Sequence, residues 1–269
     1  MTEELPHGVV RQAAKSAKGG PVKTVVVGAS SGLGRSIAIG LGRQGSEVAL
    51  LARRHDLLVD AAKEIGPNAT AIACDVTDES SCAAAIEEAA TTLDGIDAVV
   101  YATGMGPLSR LADVSAPEWR QVFDTNVIGA SLITAAAVPH LSASSGAAVF
   151  LSSVSASLTP PWPGLGSYAV SKAALDKLVE AWRAEHPHVG FTRMTVGECL
   201  GGEGPSQSSF SEGWDTELAA ELVGDWFARK YMSGSFLDVD ELVRVLDGVL
   251  RCGASASIPT IAVLPRPPA

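Results

Sequence analysis

Short runs of apolar and β-branched residues recur along the chain and alternate with longer segments whose apolar residues follow helical spacing. The short runs have the length of buried strands, and the longer segments have the three-to-four-residue repeat of amphipathic helices. The predicted strands are 23–28, 46–52, 69–74, 96–102, 147–153, 190–196 and 258–264. The predicted helices are 33–44, 56–65, 79–93, 117–140, 168–185 and 239–251.

This alternation predicts an α/β fold in which a parallel sheet is covered by helices on both faces. A chain of 269 residues is long enough for one large domain, and neither a composition shift nor a repeat marks a boundary. We therefore assign residues 22–269 to a single domain and 1–21 to a flexible N-terminal arm. The irregular segment 198–215, rich in Gly, Ser and Glu, predicts a substrate lid that extends to residue 232 (198–232).

Charge and composition disfavour several classes of partner. A formal net charge of −10 argues against nucleic acid or an anionic membrane surface, since both require a basic footprint. No uninterrupted apolar run reaches the length of a membrane span, and the first twenty residues lack the apolar core of a secretory signal. The four cysteines are far apart without CxxC spacing, which argues against a zinc site. We expect a cytoplasmic protein with no metal and a small-molecule ligand.

A glycine-rich turn, GASSGLG, connects the first predicted strand to the first predicted helix. Glycines at this position let the backbone approach a pyrophosphate at a helix N-terminus. A tight turn without a ligand is the alternative, but the place of the turn in a repeating βα pattern favours nucleotide binding. The candidate cofactor contacts in this turn are Gly28, Ser30, Ser31, Gly32, Leu33 and Gly34.

The end of the second predicted strand, LLARRHD, indicates which dinucleotide is bound. An NAD site usually has an acid here for the ribose 2′-hydroxyl, whereas a 2′-phosphate favours arginine. Ala52 stands in the place of the acid, and Arg53 and Arg54 follow it. This pattern favours NADP(H) over NAD(H), although two arginines after a strand are sometimes only solvated loop charges.

Asp75 and Val76 end the third predicted strand and are further candidate cofactor contacts. The Asp75 carboxylate has two possible roles. It would accept a hydrogen bond from the adenine amino group, or it would cap the helix that begins near Asp78. The sequence leaves both roles open.

Tyr168 and Lys172 lie four residues apart in SYAVSKAAL, at the start of a predicted helix. Their side chains are therefore expected on one helical face, one turn apart. A nearby ammonium favours the phenolate, and so lowers a tyrosine pKa that is ordinarily near ~10. Taken alone, a Tyr and a Lys at this spacing would more often be ordinary surface residues of a helix. Other motifs in the chain are needed to assign them a catalytic role.

Five motifs occur in a fixed order: GASSGLG, DV at 75–76, NVIG at 126–129, SS at 152–153 and YAVSK. In this order and spacing the chain resembles the classical short-chain dehydrogenase/reductase family, over about residues 20–200 and more loosely in the last strand. The resemblance implies a Rossmann-type doubly wound sheet. It also implies hydride transfer between a nicotinamide and a carbonyl or alcohol carbon, and a homodimer or homotetramer.

The resemblance further implies roles for four residues. Tyr168 is the general acid/base, and Lys172 lowers its pKa and holds the nicotinamide ribose. Asn126 anchors a proton-relay water, and Ser153 orients the carbonyl. These residue types suit the reaction, because a proton donor and a hydroxyl both act where the oxygen becomes alkoxide-like. Without the other motifs, Asn126 would be interpreted as bonding its own backbone.

The chain departs from the family pattern after two of its predicted strands. Ser153 lies fifteen positions before Tyr168, where about a dozen is usual, and Ser155, thirteen before it, is a second candidate. After the sixth strand, Val196 and Gly197 stand where the family has Pro-Gly, and no threonine follows at the usual distance. This puts the clamp on the nicotinamide in doubt, although Gly197 remains a candidate contact.

The segment YATG at 101–104 stands where the family has two asparagines before Ala-Gly. We expect the side-chain hydrogen bonds that brace this strand in the family to be lost. Ala102 and Gly104 remain candidate cofactor contacts, since Gly104 permits close approach.

Aromatic residues of the predicted lid and of the PPWPG loop suggest an apolar, bulky carbonyl or alcohol substrate. Packing of the lid onto the domain, or a subunit contact, explains them equally well. They are Trp162, Phe210 and Trp214, with Trp226, Phe227 and Tyr231 on a probable helix. The sequence thus predicts an NADP(H)-dependent oxidoreductase, with a catalytically inactive NADP(H)-binding regulator or scaffold as the alternative.

Overall fold

Seven apolar segments pair side by side into one parallel sheet, in the strand order β3-β2-β1-β4-β5-β6-β7. The computed structural model describes residues 20–267, so nearly all of the predicted N-terminal arm lies outside the described residues. All seven predicted strands are confirmed. They are β1 (Lys23–Val27), β2 (Glu47–Ala52), β3 (Ala69–Ala73), β4 (Ala98–Tyr101), β5 (Ala147–Ser153), β6 (Gly190–Val196) and β7 (Thr260–Val263).

Helices cover both faces of the sheet, because each buries an apolar stripe against it. In chain order they are α1 (Gly32–Arg43), α2 (His55–Ile65), α3 (Glu79–Thr92), α4 (Ala116–Phe123), α5 (Gly129–Ser144), α6 (Val154–Ser157), α7 (Gly166–Glu185), α8 (Thr216–Ala228) and α9 (Val239–Leu250). One core contains α1, α2 and α9, and the other contains α3, α5 and α7. This is the predicted doubly wound, Rossmann-type fold.

The predicted helix 117–140 differs in detail from the observed one. The structure has α4 and α5 joined by a π-helical segment, Asp124–Ile128, so that the helical region runs from Ala116 to Ser144. A π-helical segment inserts an extra residue into the helix and often occurs at a functional site. The segment contains Asn126, which is fully buried.

Helix Ala116–Ser144 is long and apolar enough to pass a test for a membrane span by length and composition alone, with a mean hydropathy of 1.4. The sequence did not lead us to expect this. In this fold Ile133, Ala137 and Leu141 are buried in the core that α5 shares with α3. Core packing therefore accounts for apolar residues on this helix.

The parallel register brings the carboxyl ends of the central strands to one edge of the sheet. From this edge emerge the glycine turn after β1, the arginines after β2, the YATG segment at the end of β4, and Ser153 at the end of β5. In open α/β sheets, ligands bind outside the carboxyl ends of the strands. The predicted site residues are thus gathered where a ligand is expected.

Candidate active site

Four side chains predicted to be catalytic converge at the carboxyl end of β5. The Lys172 Nζ lies 5.8 Å from the centroid of the Tyr168 ring, and the Ser153 side chain lies near enough to the Tyr168 hydroxyl to act on its pKa. Asn126 is joined to them through Ser171: Asn126 Nδ2 donates to Ser171 Oγ at 2.8 Å, and Ser171 Oγ donates to the Tyr168 carbonyl at 2.7 Å. Ser171 was missed from the sequence, although it lies on the same turn of YAVSK.

Asn126 holds the loop that follows β4. Its Oδ1 accepts from the Met105 N–H at 2.9 Å, and its Nδ2 donates to the Met105 carbonyl at 2.9 Å. The amide therefore pairs with a remote backbone segment and with Ser171, and the interpretation that it bonds its own backbone is wrong. The π-helical segment puts this buried side chain between the loop after β4 and helix α7.

Ser153 and Ser155 occupy different positions around α6. Ser153 ends β5 and is half-buried, while Ser155 is buried at 4% exposure inside α6. Their hydroxyl oxygens are 3.0 Å apart, so Ser155 stands behind Ser153. Of the two serines, Ser153 is the one that acts on the pKa of Tyr168, which favours it as the residue that contacts a substrate.

The proton-transfer pair is buried, and burial moves both pKa values. Burial raises the pKa of Tyr168 to about 12, and the hydrogen bond from Ser153 acts in the opposite direction. Burial lowers the pKa of Lys172 to about 8, opposed by the charge of Asp176. The Lys172 ammonium donates to the Leu151 carbonyl at 2.7 Å. The expected lowering of the tyrosine pKa is therefore absent in this conformation, because burial outweighs the opposing effect of Ser153.

The glycine turn after β1 is built so that only glycine fits at two positions. A Cβ at Gly34 would lie 2.2 Å from the Gly28 carbonyl oxygen, and Gly28 itself has a positive φ of 90°. A Cβ at Gly28 would also lie 2.7 Å from Thr103 Oγ1. The first turn of α1 thus approaches the end of β1 closely, as a cradle for a pyrophosphate requires. Leu33, in this first turn, packs against the core that contains α1.

Arg54 folds back onto the two serines of the glycine turn. Its Nη2 donates to Ser31 Oγ at 2.6 Å and to Ser30 Oγ at 3.0 Å. Arg53 is exposed, and its charge helps to lower the pKa of Asp75. Two guanidinium groups therefore stand at the end of β2, beside the predicted phosphate cradle.

The structure excludes one of the two roles left open for Asp75. Asp78 caps α3, since its Oδ1 accepts from the Ser81 N–H at 3.0 Å, so a capping role for Asp75 is wrong. Asp75 Oδ1 instead accepts from the N–H and hydroxyl of Thr77, at 3.0 and 2.8 Å. The neighbouring Val76 is buried at 7% exposure.

The YATG segment braces β4 by a different route from the one expected. The Tyr101 hydroxyl donates to the Thr125 carbonyl at 2.6 Å and so ties β4 to the π-helical segment. Tyr101 thus supplies a hydrogen bond of its own where the family's asparagine hydrogen bonds were expected to be lost. Thr103 Oγ1, after the partly buried Ala102, is buried with no partner among the described residues. A Cβ at Gly104 would lie 3.3 Å from Lys172 Nζ, so Gly104 leaves the lysine room.

The segment after β6 lies directly over the glycine turn. The Gly32 N–H donates to the Gln207 carbonyl at 3.3 Å, and the Ser31 and Ser209 hydroxyl oxygens are 3.2 Å apart. A Cβ at Gly32 would also lie 3.3 Å from Ser208 Cα. A lid carbonyl therefore occupies an N–H at the start of α1 that would otherwise face a phosphate.

Aromatic residues pack the lid onto the domain. The Phe210 ring meets the Tyr168 ring edge-on at a centroid distance of 5.0 Å, and Trp214 Nε1 donates to the Gly106 carbonyl at 2.9 Å. Trp226 joins this cluster from α8, with its ring tilted against the Trp162 ring at a centroid distance of 5.2 Å. The packing alternative is thus observed in this conformation. Phe227 is 48% exposed, and Tyr231 lies beyond the end of α8.

Gly197 lies at the end of β6 and packs towards β7. Its N–H donates to the Val263 carbonyl at 3.0 Å, and a Cβ would lie 2.7 Å from Pro265 Cδ. The close approach of Pro265 therefore explains why a glycine stands at position 197. Val196 is buried in the core at 7% exposure.

The residues around the glycine turn fit a dinucleotide. The glycine cradle at Gly28 and Gly34 has no room for side chains, Thr103 has a buried hydroxyl without a partner among residues 20–267, and Arg54 adds positive charge. In the same described range, no group of three His, Cys, Asp or Glu residues could hold a metal ion. The chemistry of the site is therefore that of a nucleotide cradle beside a proton-transfer pair.

Comparison with known sequences agrees with this geometry. A family model for short chain dehydrogenases matches residues 23–199. The 11-beta-hydroxysteroid dehydrogenase A of Sesamum indicum is 32% identical over 179 residues, which cover 64% of this chain and 51% of that protein. An uncharacterized oxidoreductase of Staphylococcus epidermidis is 27% identical over 223 residues, 81% of this chain and 94% of the other. The chain thus spans about half the length of the sesame relative.

Solved structures share the fold. An alcohol dehydrogenase from Thermococcus sibiricus, complexed with 5-hydroxy-NADP, has a TM-score of 0.73 at 24% identity, covering 89% of this chain and 94% of that one. A 3-ketoacyl-(acyl-carrier-protein) reductase from Brucella melitensis, complexed with NADH, has a TM-score of 0.73 at 21% identity, covering 93% and 98%. The matched family model and the assembled residues agree, and the chain belongs to the short chain dehydrogenase family.

Proposed function

We propose that the protein is an NADP(H)-dependent oxidoreductase that transfers hydride between the nicotinamide and a carbonyl or alcohol carbon of an apolar substrate. The observation that carries this proposal is the convergence of Asn126, Ser153, Tyr168 and Lys172 beside the glycine cradle. Each element of the site comes from a different part of the chain, so their assembly at one sheet edge is a strong constraint on function.

The bound nicotinamide supplies or accepts the hydride. In the reducing direction, the Tyr168 hydroxyl donates its proton to the substrate oxygen, and the Ser153 hydroxyl donates a hydrogen bond to the same oxygen. The Lys172 ammonium stabilises the phenolate that remains. Asn126 holds the loop after β4 against α7, and the proton that restores Tyr168 would pass between these two segments. General acid catalysis of this kind contributes about 10²–10⁴-fold to the rate.

The choice of NADP(H) rests on the end of β2. Ala52 cannot accept from a ribose 2′-hydroxyl, whereas Arg53 and Arg54 offer charge-assisted hydrogen bonds to a 2′-phosphate. Arg54 already contacts Ser30 and Ser31 in the glycine turn. These contacts support a cofactor site that combines the turn with an arginine.

Cofactor binding requires the lid to leave the glycine turn. The Gln207 carbonyl and the Ser209 hydroxyl lie on the N-terminal turn of α1, where the pyrophosphate of a dinucleotide would sit. Phe210 lies against Tyr168, where a substrate must approach. We therefore regard this conformation as a closed one, in which the lid fills the cleft.

An apolar, bulky substrate suits the aromatic surface around Tyr168. Trp162 borders Tyr168 from the PPWPG loop, and Phe210 and Trp214 would close over a substrate from the lid. The hydroxysteroid in the name of the sesame relative is a compound of this class. We further propose a cytoplasmic homodimer or homotetramer, since Ile128 and Val170 expose apolar surface on the π-helical segment and α7.

One observation favours a second candidate, an NADP(H)-binding regulator or scaffold without turnover. The lid contacts both the glycine turn and the proton donor, and Gly197 is occupied with β7. The intact set of four catalytic residue types argues for the enzyme.

Titration of the purified protein with NADPH and NADH, followed by intrinsic tryptophan fluorescence at one ionic strength, tests the proposal. We expect tight binding of NADPH, weak binding of NADH, and NADPH oxidation in the presence of bulky apolar ketones. Tight binding of NADPH without turnover of any ketone or alcohol would favour the regulator. Binding of neither dinucleotide would contradict both candidates.

A further inference from the structure

A third buried charge lies one helical turn beyond Lys172. Asp176 is on α7 at 5% exposure, four residues after Lys172, which is 4% exposed. Residues spaced by four on a helix share a face, so the carboxylate and the ammonium are neighbours in the same buried space. No role for Asp176 follows from the reaction itself, because the proton donor and its lysine are already accounted for.

Asp176 is held between two strands at the catalytic edge. Its Oδ2 lies 3.3 Å from Arg193 Nη1 on β6, and Ser152 of β5 acts to lower the pKa of the carboxylate. Asp176 Oδ1 and Ser152 Oγ are both buried and have no hydrogen-bond partner among residues 20–267. Arg193 Nε likewise has no partner within residues 20–267. Arg193 therefore does not fully satisfy the carboxylate, and the charge of Asp176 also acts on Lys172.

We propose that Asp176 is a positioning residue for Lys172, and that its buried carboxylate keeps the lysine in its charged form and directed at Tyr168. This inference rests on the proposed function for its catalytic meaning. The effect on the lysine itself is a property of the chain without cofactor.

The balance of charges explains why the carboxylate is needed. With Asp176 ionised, the buried Lys172 ammonium has a buried counter-charge one helical turn away. Without the carboxylate, the ammonium would be a buried charge with no acidic partner on its helix face, which is costly in a low dielectric. The other titratable groups near this space are Tyr168, which is neutral below its raised pKa, and Glu180, which is exposed and paired with Lys177. Neither replaces the carboxylate.

Burial has brought the pKa of Lys172 close to neutral pH, so a further small shift would change its charge there. Its pKa is lowered to about 8 by burial, and the Asp176 charge opposes that lowering. Burial raises the pKa of Asp176 in turn, opposed by Ser152, Arg193 and Lys172. Because the lysine pKa is lowered, the ammonium is lost as pH rises through about 8. Removal of the carboxylate moves this loss towards neutral pH.

Nuclear magnetic resonance of the cofactor-free chain, labelled at the ε-carbons of lysine, measures this directly. The Lys172 signal is assigned by its absence in Lys172→Arg and followed from pH 6 to 11. We expect a midpoint near pH 8 in the wild type. In Asp176→Asn and Asp176→Ser we expect a midpoint lower by about one pH unit, and in Asp176→Glu a return towards the wild-type value.

Glu180→Gln is the matched control, since it removes an acid from the next turn of the same helix, and its Lys172 midpoint stays at the wild-type value. A wild-type midpoint in a folded Asp176→Asn or Asp176→Ser protein overturns the proposal. If neither neutral variant folds, the wild-type chain labelled at its aspartate carboxyl carbons decides. The Asp176 signal then shifts with the midpoint of Lys172, and an Asp176 signal that is constant across this range also overturns the proposal.

Turnover separates this inference from the proposed function. If a ketone is reduced, the alkaline limb of kcat/KM moves to lower pH in Asp176→Asn by the same amount as the Lys172 midpoint. A shift of the lysine midpoint in a protein that turns over no ketone or alcohol supports the Asp176 role and contradicts the enzymatic function. A purely structural Asp176 would lower the amount of folded protein and leave both midpoints in place.

Discussion

The cleft has two walls of different construction. The fixed wall consists of the end of β5, the π-helical segment and the start of α7, and its side chains are tied by hydrogen bonds between separate elements. The lid, residues 198–232, is mainly loop plus α8, and it meets the fixed wall through aromatic rings and single hydrogen bonds. Several independent hydrogen bonds fix the side chains of the first wall. The lid is held by few contacts, and all of them break when it moves away.

This difference assigns separate tasks to the two walls. Proton transfer requires the donor and its lysine to be held within a fraction of an ångström, which suits buried helices and strands. Ligand entry requires the glycine turn to be uncovered, which suits a segment with few anchors. Variants that act on one wall and spare the other therefore test the comparison.

The largest effect is expected for Tyr168→Phe on the fixed wall. The ring and its contact with Phe210 remain, but the proton donor is lost, so kcat for ketone reduction falls by about 10³-fold. NADPH binding, measured by fluorescence, stays within a factor of two or so, since the ring still fills its place. The matched control is Tyr231→Phe, which removes a phenol from the far end of the lid and leaves kcat unchanged. Full activity in Tyr168→Phe would remove this residue from the mechanism.

Gly34→Ala tests the close packing of the glycine turn. The new Cβ would lie 2.2 Å from the Gly28 carbonyl oxygen, which is backbone and cannot yield cheaply. We expect the free energy of unfolding in urea to fall by about 3 kcal/mol. Gly248→Ala is the control, because this helical glycine of α9 has nothing within 4 Å of a Cβ and gains up to about 1 kcal/mol. Equal effects at both glycines would mean that the cradle is not closely packed.

Arg54→Ala tests the choice of cofactor. Loss of a charge-assisted contact with a 2′-phosphate weakens NADPH binding by about 2 kcal/mol, or roughly 30-fold, and leaves NADH binding unchanged. Isothermal titration calorimetry with both dinucleotides measures the two constants. Arg120→Ala, which removes an exposed arginine of α4, is expected to change neither. Equal losses for NADPH and NADH would contradict the 2′-phosphate assignment.

The smallest effect, and the one specific to the lid, is expected for Phe210→Ala. Without the ring against Tyr168 the closed form is less populated, so NADPH binds about fivefold more tightly while the protein unfolds more easily. Phe227→Ala, which removes an exposed ring from the same lid, leaves the affinity unchanged. Weaker NADPH binding in Phe210→Ala would mean that the ring holds the cofactor and does not exclude it.

The sequence predicted the fixed wall better than the lid, and the reason is physical. Tyr168 and Lys172 belong to one helix, and Ser153 ends a strand, so helical and strand periodicity alone place them. The position of Asn126 depends on an inserted helical residue, and no periodicity indicates where a helix takes in an extra residue. Its partners Met105 and Ser171 could be found only once the two segments were seen together.

The sequence predicted the lid segment but not where it lies, because its position results from long-range contacts. The carbonyl of Gln207 carries no side-chain signature, so nothing in the letters 201–210 indicates that it meets the Gly32 N–H. The bracing of β4 by Tyr101 was missed for a similar reason: the hydroxyl bonds a backbone carbonyl, which any residue could supply. Asp176 was one more acid on a helix until Arg193 and Ser152 were found beside it.

The hydrogen bond from Gly32 to Gln207 also means that any ligand at the glycine turn must bind this N–H more favourably than the Gln207 carbonyl does. A cell contains adenosine, free bases and sugars in abundance, and a neutral compound at the glycine turn would merely exchange one uncharged hydrogen bond for another. A pyrophosphate forms charge-assisted bonds there and also engages the helix dipole, so it displaces the carbonyl with a net gain. Under the proposed function, the closed lid would therefore select for charged ligands before the cleft selects by shape.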